Sequence, residues 1–361
     1  MNEIPSSGTH RTTPAPVSYL AYQLNHLFVG GDDGTLRIYS VSSPRVLKAV
    51  RGLGTDVSSV QIARRPGSSD NAEGAYSLSL DSDKLVLNGG EAEVILELGE
   101  DEDDNVNELS LTNKYLAFST DAGSVGAVEL STHKVMRMKT RHQNICSTVK
   151  FIPNRPSELI SGGYDCALLH FDFTQGTILS RLDISSTPSA PGVSLSPPFI
   201  QCTAMSEDAV LIAGLADGRV WIGGTDRLSK HAKKKRSRKW DGLKDQAMCV
   251  QAAEGPIVGI AFTGRDSFLT CTLLGSVSLY TMTEKAPQTG EELFSVDRRW
   301  TTNTIGMEKV NCFCVCGVGT DDDSALCYAV GGFDKDGKGV VRTCLAPSNV
   351  KANVSSSAEK D

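Results

Sequence analysis

The chain has 361 residues, 40% of them hydrophobic and 22% charged, with a formal net charge of −7. That balance describes a globular chain long enough to bury a large core. The negative charge argues against a general nucleic-acid binder, because phosphate contacts need a basic surface.

The opening stretch MNEIPSSGTHRTTPAP is polar and lacks the apolar h-region of a signal peptide. No apolar run is long enough to span a bilayer. Ten cysteines in a chain of this size suit reduced thiols better than a disulfide framework. The expectation is a soluble protein of the nucleus, the cytoplasm or both, free of membrane association.

Taken in chain order, the first alternating strand is VSYLAYQ (17–23), followed by HLFVGGDDGTLRIYS (26–40) and RVLKAVR (45–51). The middle phrase is a strand, an Asp/Gly turn and a second strand, since Asp-Gly tolerates the positive φ angles of a tight hairpin. The same grammar returns in YLAFSTDAGSVGAVE (115–129), ELISGGYDCALLHFD (158–172), VLIAGLADGRVWIGG (210–224) and SFLTCTLLGSVSLYT (267–281). Gly34, Gly123, Gly218 and Gly275 fall in register, and Cys166 takes that place in the third of these copies. A weaker copy, GAYSLSLDSDKLVLNGG (74–90) with Asp81 and Asp83 at its turn, fills the gap between the first two. A last one is ALCYAVGGFDKDGKGVVRTC (325–344).

An alternating strand precedes each hairpin: VSSVQIA (57–63), VNELSLT (106–112), ICSTVKF (145–151), IQCTAMS (200–206), PIVGIAF (256–262) and VNCFCVC (310–316). A fourth strand follows most of them, such as EVILELG (93–99), KVMRMKT (134–140) and TILSRLD (177–183). Four strands per unit, at a spacing of roughly 40–45 residues, predict a seven-bladed WD-repeat β-propeller over 14–347. An insert near 185–198, a basic loop near 227–245 and a disordered tail over 348–361 stand outside the blades. The seventh unit lacks an outer strand of its own, and the N-terminal arm 1–13 either supplies it, with residues near 2–10 as the strand closing a monomeric ring, or is a disordered arm.

The phrase RHQNICSTVKFIPNRPSELISGGYD (141–165) is longer and more specific than blade grammar requires. With DDNVNELSLTN (103–113) and EKVNC (308–312), in that order, it resembles the WD repeat-containing protein 53 group. The resemblance runs through the chain in blade order and is dense around 103–170. It implies a non-enzymatic adaptor, with a role as substrate receptor of cullin-4 ubiquitin ligases through their damaged-DNA-binding adaptor subunit. The docking signature associated with such receptors is Trp-Asp-x-Arg at the close of a blade's third strand. Here Phe171-Asp172-Phe173-Thr174 stands at that place with Thr174 for arginine, and the loop sequence Trp240-Asp241-Gly242-Leu243 ends in leucine.

His142, Ser161 and Asp165 look like a catalytic triad on paper. A histidine before the first strand, a hydroxyl on the second and an aspartate at the next turn recur at blade spacing, which reads instead as a buried structural network. Nothing else in the chain suggests an oxyanion hole or substrate cleft. Asp33, Asp121 and Asp217 read the same way without their histidines. The inner strands read as apolar and small, which favours an interaction platform over an enzyme. Cys312, Cys314 and Cys316 share a strand face and read as core packing; zinc wants four converging ligands at other spacings. No cofactor or metal is expected.

Two charge clusters remain. Residues 230–239 hold seven Lys or Arg, and Lys233, Lys234, Lys235, Arg236, Arg238 and Lys239 form the candidate nuclear-import signal. Glu100, Asp101, Glu102, Asp103 and Asp104, with Glu97 and Glu108 flanking, lie between the second and third units. Blade topology puts the acidic run on the face of the second-to-third-strand turns and the basic loop on the other. The acidic run, with Arg141, Asn144 and Tyr164 beside the fourth blade, is the candidate surface for a basic protein client. The alternatives to the ligase receptor are a nuclear assembly factor or a reader of basic peptides or histone tails through this face.

Overall fold

The computed structural model describes residues 8–23, 25–54, 56–64, 75–79, 96–101, 103–186, 196–224, 240–243, 247–284, 294–318 and 325–347. A short strand β1 (His10–Thr13) comes first. The first sheet is β2 (Val17–Gln23), β3 (His26–Gly31), β4 (Thr35–Ser40) and β5 (Val46–Val50). A pair follows, β6 (Val60–Arg64) and β7 (Ala75–Ser79). The third unit is β8 (Val106–Leu111), β9 (Tyr115–Thr120), β10 (Val125–Glu129) and β11 (Lys134–Arg137). The fourth is β12 (Cys146–Phe151), β13 (Glu158–Gly163), β14 (Ala167–Asp172) and β15 (Thr177–Asp183). The fifth is β16 (Ile200–Met205), β17 (Leu211–Leu215), β18 (Arg219–Gly223) and β19 (Met248–Gln251). The sixth is β20 (Ile257–Gly264), β21 (Ser267–Thr272), β22 (Ser276–Glu284) and β23 (Phe294–Asn303). The last combines β24 (Lys309–Val318), β25 (Ala325–Phe333) and β26 (Gly339–Pro347) with β1.

This is an all-β propeller, and six four-stranded sheets stand where seven were expected. The second unit contributes two strands, and most of its hairpin, including Asp81 and Asp83, lies outside the described residues. The strand beside β26 is β1, paired from His10 opposite Arg342 to Thr13 opposite Gly339, rather than a segment centred on residues 2–10. Residues 1–7 and 348–361 lie outside the described residues.

The sheets stack side by side, and the apolar cores lie between them. Ala117, Val125 and Ala127 of the third unit meet Val149, Leu159, Leu169 and Phe171 of the fourth. Val17, Leu20 and Val29 of the first unit meet Cys312, Cys316, Ala329 and Val341 of the last. Each buried face is a strand's alternate residues, as the period of two requires.

One device recurs. In six inner strands the register slips near the start, at Val17/Tyr19, Val106/Glu108, Cys146/Thr148, Ile200/Cys202, Ile257/Gly259 and Val310/Cys312. A bulge leaves its extra residue unpaired and re-aims its side chain. Here that side chain reaches sideways. Ser18 donates to the Val57 carbonyl (2.8 Å), Asn107 to Cys146 (3.1 Å), Ser147 to Ile200 (2.5 Å) and Asn311 to Val17 (3.0 Å). Each latch ties one unit to the next, and the last ties the final unit to the first.

The N-terminal strand is fastened by a buried guanidinium. Arg11 donates to the carbonyls of Ser40 (3.0 Å), Val41 (2.5 Å) and Ser43 (3.1 Å) and lies 5.3 Å from the Tyr39 ring centroid. Burial lowers its pKa. The cation is satisfied by carbonyl oxygens and a π face.

Candidate functional site

The turn between second and third strands ends each copy in a left-handed residue. Gly34, Gly123, Gly218 and Gly275 have φ of 62°, 82°, 84° and 84°, and Cys166 adopts 59°. That turn fixes the aspartate just before it, which must then find its partners.

In the fourth unit those partners come from far along the chain. Asp165 Oδ1 lies 2.8 Å from His142 Nδ1, and His142 Nε2 lies 2.8 Å from Ser161 Oγ. Asp165 Oδ2 also accepts from the Gln143 amide at 3.1 Å. His142 and Ser161 are 2% and 1% exposed, so no substrate reaches the hydroxyl. Burial opposes the imidazolium, but the Cys146 sulfur and the Asp165 carboxylate outweigh it and raise the His142 pKa to about 9. Burial likewise opposes the Asp165 carboxylate, yet its bonds to His142, Gln143 and Ala167 leave it below its ordinary value.

Elsewhere the turn aspartate is served differently. Asp33 pairs with Arg37 at 2.7 Å and Asp217 with Arg219 at 2.6 Å, both within one hairpin. Asp121 accepts from Asn107 at 3.0 Å and Asn105 at 3.4 Å.

The acidic run divides. Asp104 is buried, accepting from the Glu100 amide (2.7 Å) and the Ala122 amide (2.6 Å). Glu100 accepts from Ser124 Oγ at 2.5 Å and pairs with Arg141 at 2.9 Å. The Ser124 hydroxyl chiefly, and Arg141 after it, hold the Glu100 carboxyl below its usual range. Asp101 Oδ1 accepts from the Asp103 amide at 3.1 Å, and both residues are exposed. Asp104 is thus buried in the fold, Glu100 is exposed but tied to Ser124 and Arg141, and Asp101 and Asp103 face solvent. Glu102 lies outside the described residues.

The other rim candidates sit close by. Arg141 joins the acidic run directly through Glu100. Asn144 Oδ1 accepts from the Ile145 amide at 2.8 Å. Tyr164 is half-buried, stacked on Phe199 at 5.4 Å and 13°, with its hydroxyl on Gln201 Oε1 at 3.1 Å. Burial raises its pKa. Lys233, Lys234, Lys235, Arg236, Arg238 and Lys239 lie outside the described residues. The flanks of that segment, Gly224 and Trp240, both meet the Ala209 carbonyl, at the end of the sheet opposite Asp217.

Several expectations change. Glu108 does not flank the acidic run but lies on β8, facing the channel between the inner strands. The inner strands are not uniformly apolar, because their inner edges line that channel of about 1600 Å³ with Asn107, Glu108, Thr148, Lys150 and Thr203. Cys312, Cys314 and Cys316 face one apolar core, that between the last and first units, while Phe313 and Val315 between them pack on the other side. A second register slip lies between Val315 and Gly317, and on that face Cys312 and Cys316 are buried and Cys314 is half-buried. Burial pushes the Cys312 thiol well up and Cys202 to about 12. Among the described residues no group of three His, Cys, Asp or Glu is arranged to hold a metal ion.

Trp240 is an anchor that sequence reasoning left in a loop. Its indole is buried and donates to Ala209, its amide donates to Glu158 Oε2 at 2.9 Å, and its ring meets His170 edge-on at 5.4 Å. At the other docking tetrapeptide, Thr174 Oγ1 donates to Asp172 Oδ1 at 2.6 Å and closes its own turn.

Radial four-stranded sheets, left-handed turn residues in register and an Asp-His-Ser network under one turn define a WD-repeat β-propeller. The chain is 26% identical over 149 residues to the WD repeat-containing protein 53 homolog of Dictyostelium discoideum. That match covers 36% of this chain and 40% of the relative, so it spans less than half of the relative's length. No family model matches the chain.

Proposed function

We propose that the chain is a non-catalytic interaction platform built on a closed ring of seven blades, reading a basic segment of a protein partner through the rim of the third and fourth units. The closed ring is supported by the lateral latches, including Asn311 on Val17, and by the core shared between first and last units. The observation that carries the platform is the braced rim itself. Asp104 and the Glu100–Ser124–Arg141 chain hold the loop, which leaves Asp101 and Asp103 exposed on a fixed backbone. Fixed carboxylates on an acidic chain steer and orient a cationic partner. The buried Ser161 and His142 supply the fold and no nucleophile.

The test is calorimetric titration of the full chain with an arginine-rich peptide, beside an Asp101→Lys, Asp103→Lys variant. We expect about a tenfold loss in the variant, steep in salt. Equal affinity in both proteins defeats the rim reading.

Receptor docking on a cullin-4 ligase is the finer form of this platform, resting on the resemblance of 141–165. Since Thr174 serves its own turn, docking would proceed without the signature arginine, and titration with the adaptor subunit decides it. The segment 230–239 makes nuclear import part of the proposal; neutralising Lys233 to Arg236 in a fluorescent fusion and finding unchanged nuclear accumulation would remove it.

A further inference from the structure

The channel wall holds a carboxylate fixed on one side only. Glu108 Oε2 accepts from Thr148 Oγ1 at 2.6 Å and from the Val149 amide at 2.8 Å. The Thr148 hydroxyl is itself 2.5 Å from Thr203 Oγ1, so three successive units brace one oxygen. Among the described residues, the donor on the other oxygen, Oε1, is the ammonium of Lys150. A carboxylate offers about four acceptor sites, and two of them are used by groups that cannot leave.

The remaining partner differs in kind. Lys150 is a point charge on a flexible four-carbon stem with three rotatable donors. Both members of the pair are 23% exposed and open to the channel, so water screens their attraction and the ammonium exchanges readily. The cavity is large, and Tyr19, Cys202, Cys312 and Phe313 line it near this level with surface suited to an alkyl stem. It opens between the hairpins that join first and second strands, near Asn113, Asn154 and Glu207. That mouth is on the face opposite Asp101 and Asp103.

We propose that Glu108 is a preorganised acceptor for an ammonium or guanidinium group entering the channel, and that Lys150 occupies it in the free protein. The ligand chemistry is a lysine or arginine side chain of a peptide, or a free alkylamine. The internal lysine is a competitor, so apparent affinity falls by the fraction of time it holds the carboxylate. Removing it therefore strengthens binding, the reverse of what loss of a contact residue does. The site is independent of the acidic rim, and the Asp101→Lys, Asp103→Lys variant leaves it intact.

The experiment titrates the full chain with butylammonium and with a capped seven-residue peptide carrying one lysine. Arginine and norleucine versions of the peptide are run in parallel. Lys150→Met is expected to tighten the lysine peptide about tenfold, as removal of an internal competitor does. Glu108→Gln keeps an oxygen for Thr148 and Val149 and is expected to abolish binding. Binding of the peptide alone identifies a peptide partner, and binding of butylammonium as well shows that the head group suffices. Unchanged affinity in Lys150→Met, a reading that needs no change at Glu108, overturns the proposal. So does equal binding of the norleucine peptide.

Discussion

The turns of the first and fourth units pose the same problem and solve it differently. Asp33 is satisfied by Arg37, four residues on, in a pair whose carboxylate side chain is 30% exposed. Asp165 is satisfied by His142, 23 residues earlier, in a pair almost closed to water. A local ion pair only dresses a hairpin. The long-range network ties the incoming connector to both the second strand and the turn, so the fourth unit depends on it as the first does not on Arg37.

That contrast breaks most clearly at His142. His142→Ala leaves the Asp165 carboxylate and Ser161 hydroxyl buried without their partner, and should cost about 3 kcal/mol in urea unfolding. Arg37→Ala should cost below about 1 kcal/mol, as local, partly exposed pairs do. Equal losses would erase the distinction. The pH dependence sharpens it. A histidine raised from 6.5 to about 9 contributes stability that is fully present below 6.5 and is lost as pH rises through 9. Over that interval the wild type should lose about 3 kcal/mol relative to His142→Asn. The lowered Asp165 acts oppositely, contributing above its ordinary value of 3.8 and losing that as pH falls. Parallel curves for wild type and variant between pH 6 and 10 would refute the charged pair.

The acidic run carries the same lesson within five residues. Asp104→Ala removes the acceptor for two backbone amides of its loop and should cost about 1–2 kcal/mol. Asp101→Ala should change stability by less than about 0.5 kcal/mol, as exposed substitutions do. Thermal unfolding of the two separates them, and a destabilised Asp101→Ala would mean that the exposed carboxylates too belong to the fold.

Much of the frame was legible in the letters. The hairpins, the in-register Gly34, Gly123, Gly218 and Gly275, and the substitution of Cys166 among them follow from turn chemistry and period two. The direction of individual inner-strand side chains did not. The six register slips re-aim the side chains beside them, so Glu108, grouped with the acidic run by its place in the sequence, lines the channel instead. Trp240 was illegible for another reason. Its partners, Glu158 and Ala209, lie 82 and 31 residues away, and no local pattern announces a loop residue that docks between two units.

Cys166 offers the finest test of how turn and connector are matched. At Gly34, Gly123 and Gly218 an added Cβ would meet a connector carbonyl, Gly54 O at 2.2 Å, His142 O at 2.5 Å and Ala253 O at 2.1 Å. The fourth unit's connector begins instead with the short turn Ile184–Ser186, and there a side chain is accommodated at φ 59°. The residual strain of an L-residue in this region is about 1–2 kcal/mol, while glycine gives back about 0.5–1 kcal/mol through the freer unfolded chain. Cys166→Gly should thus raise stability by about 0.5 kcal/mol, visible as a small upward shift of the urea midpoint with unchanged slope. A fall instead would mean that the buried sulfur contributes more by packing than the turn loses by strain, so that the cysteine is held there by its contacts rather than merely tolerated.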